Sequence, residues 1–167
     1  MKDDADARRW LEDVQRARET WPEGPWTDEP DRLEWRYRGM PCLIVRSPVT
    51  GAWCGYAGVA KGHPAYGIPW ADLPPLSVHR GVNFADHCYG PVCHVPAPGE
   101  TEDVYWIGFD CAHCLDAVPM TGVIDAILGP RVKKTKRAFL TGETYRDVAY
   151  VKAQVERLAA QLAEIKA

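Results

Sequence analysis

Apolar residues recur in steps of three and four near both ends of the chain and in steps of two between them. That pattern predicts terminal helices around a sheet. From Asp3 to Trp21, Ala7, Trp10, Leu11, Val14 and Ala17 share one helical face, and acidic residues crowd the first turn, where the helix dipole favours them. Pro22, Gly24, Pro25 and Pro30 break this helix and make a linker or wrapping arm. At Leu33 the period changes to two. Leu33, Trp35 and Tyr37 alternate with Glu34, Arg36 and Arg38, the mark of a half-buried strand. Turns at Arg38–Pro41 and Ser47–Gly51 lead into the apolar runs Cys42–Arg46 and Ala52–Val59, which completes a three-stranded antiparallel meander. Gly55 and Gly58 inside the third strand predict a bulge or a close backbone approach.

After an irregular, proline-rich stretch from Lys61 to Pro75, the sequence predicts a fourth strand over Ser77–Ala85 that carries His79, Arg80 and Asn83. Asp86–Asp103 reads as a long loop. Val104–Phe109 is apolar nearly throughout, as a central strand requires. Met120–Leu128 predicts a short helical segment closed by Gly129-Pro130. From Thr144 to Ile165, Val148, Val151, Val155, Leu158, Leu162 and Ile165 follow an a/d pattern, with Thr144 and Asp147 as an acidic capping box. Packing on the sheet is the default for this helix, and a homodimer seam is the alternative. The expected architecture is a single α+β domain over residues 1–167, a twisted antiparallel sheet flanked by N-terminal and C-terminal helices. Within it, residues 1–21 form the first helix, 33–116 the sheet and its loops, and 144–166 the last helix.

Composition narrows the function classes. The 167 residues are 46% hydrophobic and 26% charged, with a net charge of −3, so the chain is neither disordered nor a wholesale binder of duplex nucleic acid. No apolar run reaches membrane-spanning length, and MKDDADARRWLEDV has no apolar signal-peptide region. A cytoplasmic setting is expected, with the six cysteines mostly reduced, which favours metal binding or burial over disulfides. The seven tryptophans and seven tyrosines suit a β-rich core or an aromatic-lined pocket. There is no glycine-rich phosphate loop, no GxSxG and no HExxH.

The candidate chemistry centres on VYWIGFDCAHCLD. If the chain turns helical after Phe109, then Asp110, His113 and Asp116, three residues apart, project from one side. Two carboxylates and an imidazole suit a metal site or general acid–base catalysis. The structural alternative is a capping Asp110, a hydrogen-bonding His113 and a solvated Asp116. His63, His79, Arg80 and Asn83 are the candidate ligand-binding residues, on the expectation that their segments converge on the same cleft. The spacings Cys88-x4-Cys93 and Cys111-x2-Cys114 admit a zinc or other divalent-metal site, against the reading of four buried thiols. Arg131–Arg137, RVKKTKR, offers charge for a phosphorylated ligand, RNA or an acidic partner, or is a solvated loop.

The segments WCGYAGVAKGHPAYG, VHRGVNFAD, CHVPAPGETEDVYWIGFDCAHCLD and YRDVAYVKAQVERLAAQL resemble a family of accessory proteins of tailed phages, prophages and actinobacteria. The likeness covers most of Trp53–Leu162 and marks His63, His79, Asp110, Cys111, His113 and Asp116. The chain departs from the family pattern at Arg80, where the pattern has glycine, and at Val82-Asn83, where it has Leu-Thr; Cys114 lies outside it. The family brings no established activity. Its genomic setting implies a protein of the bacterial host cytoplasm that binds, and sequesters, a small polar, phosphorylated or nucleotide-like molecule in a His/Asp-lined cleft. A metal-dependent hydrolase using Asp110, His113 and Asp116 and a host-protein-binding module are the alternatives.

Overall fold

The computed structural model describes residues 5–120 and 142–166. The basic stretch Arg131–Arg137 lies outside them, as does the helical segment expected over Met120–Leu128 apart from Met120 itself. Helix α1 spans Ala5–Arg18, and strands β1 (Arg32–Tyr37), β2 (Met40–Arg46) and β3 (Trp53–Ala60) form the expected meander. Strands β4 (Phe84–His87) and β5 (Val104–Asp110) complete an antiparallel sheet in the order β1-β2-β3-β5-β4. Two short strands, β6 (Asp116–Ala117) and β7 (Thr144–Tyr145), pair in parallel, and helix α2 runs over Val148–Glu164. The fold is the expected α+β domain.

The helices cover opposite faces of the sheet, and the alternation of side chains explains why β2 and β5 are apolar at nearly every position. Cys42 and Ile44 of β2 point to the side where Val151, Val155, Leu158 and Leu162 of α2 are buried. Leu43 and Val45 point to the side covered by Trp10 and Val14 of α1. In β5, Tyr105, Ile107 and Phe109 join the first cluster, while Val104 and Trp106 join the second. Strand β1 lies at the edge and keeps its half-exposed alternation. The a/d stripe of α2 is thus spent inside the chain, so any homodimer through this helix has only its other face to use.

Gly55 marks a close approach rather than a bulge. The register from Cys42↔Ala57 to Arg46↔Trp53 is unbroken, but a Cβ at Gly55 would lie 2.6 Å from Val155 Cγ2 and 2.8 Å from the Phe109 ring. Its bare backbone is what lets α2 settle on the sheet. The capping box is corrected in part. Asp147 alone caps α2 by accepting from Tyr150 N–H at 2.8 Å, because Thr144 is engaged in β7, where its N–H donates to Leu115 O at 2.9 Å.

The arm after α1 wraps the molecule and is pinned by one acid that the sequence did not single out. Glu29 accepts from the Arg46 guanidinium, the Tyr145 hydroxyl, Trp53 Nε1 at 3.1 Å and Val148 N–H at 3.2 Å. Arg46 is fully buried and stacks 4.1 Å over the Trp53 ring. This ion pair ties the arm, β2, β3 and the start of α2 together.

Candidate functional site

Asp110, His113 and Asp116 do converge, but not on a helix. Strand β5 continues through Asp110, Cys111 N–H donates to Trp53 O at 2.9 Å, and the chain then turns, with Asp116 N–H donating to His113 O at 3.0 Å. Leu115 adopts left-handed backbone (φ 69°) to close that turn. The Asp110 carboxylate accepts from Ala112 N–H at 2.9 Å, and Asp116 accepts from His113 N–H at 3.1 Å. Those carboxylate-to-backbone bonds compete with helical ones, which is why the turn wins. His113 Nδ1 ends 3.7 Å from both carboxylates.

The segment before β4 supplies the rest. Residues Ser77–Asn83 are not strand as expected; only Phe84–His87 pairs with β5. The turn instead delivers side chains to the end of β5. His79 is buried and lies between two partners, with Nε2 2.8 Å from Asp116 Oδ2 and Nδ1 3.0 Å from the Tyr150 hydroxyl. An ionised carboxylate only accepts, so His79 Nε2 donates to Asp116, while Nδ1 pairs with the Tyr150 hydroxyl. Asn83 Nδ2 donates to Asp110 Oδ2 at 2.6 Å. Arg80 stands at the rim, with only a long contact of 3.5 Å, to Cys114 O, among the described residues. Its φ of 55° is the left-handed conformation that a glycine at this position would adopt freely, so the chain keeps a tight turn after His79 despite the departure at Arg80.

His63 is the expectation that fails. It sits past the end of β3, whereas Asp110 pairs with Cys54 near that strand's start. The register separates the two ends by six residues, about 20 Å of strand. The His63 ring is used locally: Nε2 lies 3.0 Å from Leu162 O, and Nδ1 accepts from Ala65 N–H at 3.1 Å. Its role is to clamp the β3 exit to α2.

The four-cysteine metal set is also corrected. Cys88 and Cys93 form a disulfide, which leaves neither sulfur as a thiolate ligand, while Cys42, Cys54, Cys111 and Cys114 stay free. Cys111 is buried, and burial raises its thiol pKa, while Cys114 is exposed. Among the described residues, the one group of three or more His, Cys, Asp or Glu whose ligand atoms all lie within 4.8 Å of each other is His79, His113 and Asp116.

Two contributors were missed. Arg146 Nε donates to Asp116 Oδ1 at 3.0 Å, its guanidinium lies 4.8 Å over the Tyr150 ring, and Tyr150 in turn holds His79. Both stand in the YRDVAY segment at the start of α2. The available signal was that Tyr150 falls three residues after the cap Asp147 and off the a/d stripe. Burial alone would raise the Asp116 pKa, but hydrogen bonds from His79, Arg146 and the His113 N–H outweigh it and hold the carboxyl below its ordinary value. Because Asp116 ionises more readily in the folded chain, it stabilises the fold above about pH 4, and that contribution disappears as pH falls through the lowered folded value. The urea midpoint of the native chain should therefore drop more steeply between pH 6 and pH 3 than that of Asp116→Asn. Equal pH dependence of the two would contradict this assignment.

Comparison of the chain with protein-family models, curated proteins and solved structures finds no match. Among the described residues, no helix is long and apolar enough to cross a membrane.

Proposed function

We propose that His79, His113 and Asp116 hold a divalent metal ion of zinc type, and that the protein is a metal-dependent hydrolase of a small, polar, phosphorylated molecule. One observation carries the reading. His113 Nδ1 is shielded from solvent and has no hydrogen-bond partner, yet it faces the Asp116 carboxylate at 3.7 Å within a group of three ligand atoms. An unpaired buried acceptor costs about 1–3 kcal/mol, which a bound cation would relieve. Zinc bonds of about 2.0–2.1 Å set tetrahedral ligand atoms about 3.4 Å apart, so separations that reach 4.8 Å here would close by at most about 1.4 Å.

The surrounding residues have matching roles. With a metal on Nε2, the Nδ1–H tautomer of His79 would donate to the Tyr150 oxygen, the usual outer-shell arrangement. The ion would supply a water of lowered pKa. Asp110, held by Asn83, would serve as the base, and Arg80 at the rim would pair with the phosphoryl oxygens. The resemblance supports a bacterial, cytoplasmic setting and a host-made signal as substrate. The weak engagement of Arg80 also favours a second reading, in which the same cleft sequesters the phosphorylated molecule without cleaving it.

Zinc loading followed by desalting and elemental analysis separates the readings. The native chain should keep one zinc per molecule and hydrolyse bis(p-nitrophenyl) phosphate. Asp110→Asn should keep the zinc and lose about 100-fold or more in rate. Zinc retention without hydrolysis by the native chain supports sequestration, and a chain that keeps no zinc overturns the metal centre.

A further inference from the structure

A second cleft, of about 530 Å³, opens at the opposite end of the sheet, where β1 turns into β2 and β3 ends. That volume is in the range of small-molecule sites and far exceeds what a bare inorganic anion fills. Its floor is apolar, with Met40, Val59 and Val104 in the lining. Its rim is basic: Arg36, Arg38 and Lys61 line it against one acid, Glu100.

The charges do not cancel. Arg36 is used up, since it pairs with Glu100 and donates to Gly39 O at 2.7 Å. Glu100 also accepts from Ala97 N–H at 2.9 Å, so its own charge is fully engaged. Among the described residues Arg38 reaches only Glu164, at 3.8 Å with both side chains exposed, a contact worth little in water. Lys61 has no acidic partner among the described residues. Lys61 thus lines the cleft without a countercharge and Arg38 with only a weak one.

An independent feature also points to a ligand. His94 lines the same cleft, is 97% buried by its exposure of 3%, and has an Nδ1 with no hydrogen-bond partner. Its ring stands edge-on to Trp106 at 5.8 Å. Desolvation holds its pKa down, so the ring is neutral at pH 7 and offers one donor and one acceptor. Buried polar atoms are almost always paired, and the exceptions tend to mark a missing ligand, ion or water.

We propose that this cleft binds a small organic anion with an apolar body, whose charged head meets Lys61 and Arg38 and whose body packs beside the His94 ring. The site is separate from the His79–His113–Asp116 centre, and the proposal does not depend on the hydrolase reading.

The test titrates the native chain with 2-naphthoate by calorimetry and follows the histidine ring nitrogens by NMR. Saturable binding should shift the His94 ring signals and leave those of His79 and His113 unmoved. The neutral isostere 2-naphthamide should bind about tenfold or more weakly, because the charge-assisted contacts are lost. Lys61→Glu, a change at an exposed side chain, should weaken 2-naphthoate by a similar factor. Equal affinity for the two naphthalenes, unaltered binding in Lys61→Glu, or absence of saturation would each overturn the proposal.

Discussion

Glu29→Ala should cost the fold about 3–5 kcal/mol, the range for removing one partner of a buried ion pair. The variant leaves Arg46 with no carboxylate, and a guanidinium cannot shed its charge by losing a proton. Arg46 is wholly enclosed, with its ring contact to Trp53 at 4.1 Å and a bond from Nη1 to Gly51 O at 2.8 Å. Those neutral partners do not replace a countercharge. The Tyr145 hydroxyl and Trp53 Nε1 also lose their acceptor. In a chain of this size the loss corresponds to a fall in Tm of roughly 10 °C or more. The double variant Glu29→Met with Arg46→Met should recover much of it, because an apolar pair leaves no charge behind. A single variant that unfolds within about 1 kcal/mol of the native chain would show that the arm is not anchored through this pair.

His113→Ala and His63→Ala should separate two kinds of histidine. Removing His113 takes away one of three ligands, so zinc affinity should fall by more than the roughly 10–100-fold seen when only an outer-shell partner is lost. Because the buried His113 Nδ1 has no hydrogen-bond partner, the metal-free variant chain should be at least as stable as the native one. His63→Ala should do the reverse. Zinc affinity should stay as it was, while the loss of the contacts to Leu162 O and Ala65 N–H should cost about 1–3 kcal/mol in urea unfolding. Similar zinc affinities for the two variants would place the metal elsewhere.

The architecture was legible where periodicity was strong. The steps of three and four in Val151–Leu162 and the alternation in Leu33–Tyr37 come from burial of one face, and burial is what the structure conserves of them. The apolar run of β5 was legible for the same reason, since both of its faces are covered. Ser77–Asn83 was not, because its β-like composition serves a turn in which Arg80 and Gly81 both take left-handed backbone, and one glycine inside a strand-like run reads equally well as a bulge.

The site was legible only in its local half. Asp110, His113 and Asp116 are close in sequence, so either a helix or a turn brings them near each other. His79 and Asn83 reach them because β4 pairs beside β5, and no spacing rule carries that information. His63 and His79 look alike in sequence, but pairing register sends one to each end of the sheet. Arg146 and Tyr150 escaped notice because their importance lies in what they hold, Asp116 and His79, rather than in any motif of their own. The Cys88–Cys93 bridge was hidden by an argument from compartment, which says nothing about two sulfurs brought together by a five-residue turn.

Anomalous diffraction at the zinc edge, on crystals grown from the zinc-loaded chain, would locate the ion itself. A single strong peak should lie between His79 Nε2, His113 Nδ1 and Asp116 Oδ2. A peak on Cys111 and Cys114 instead, or none within bonding distance of His113, would contradict the metal centre.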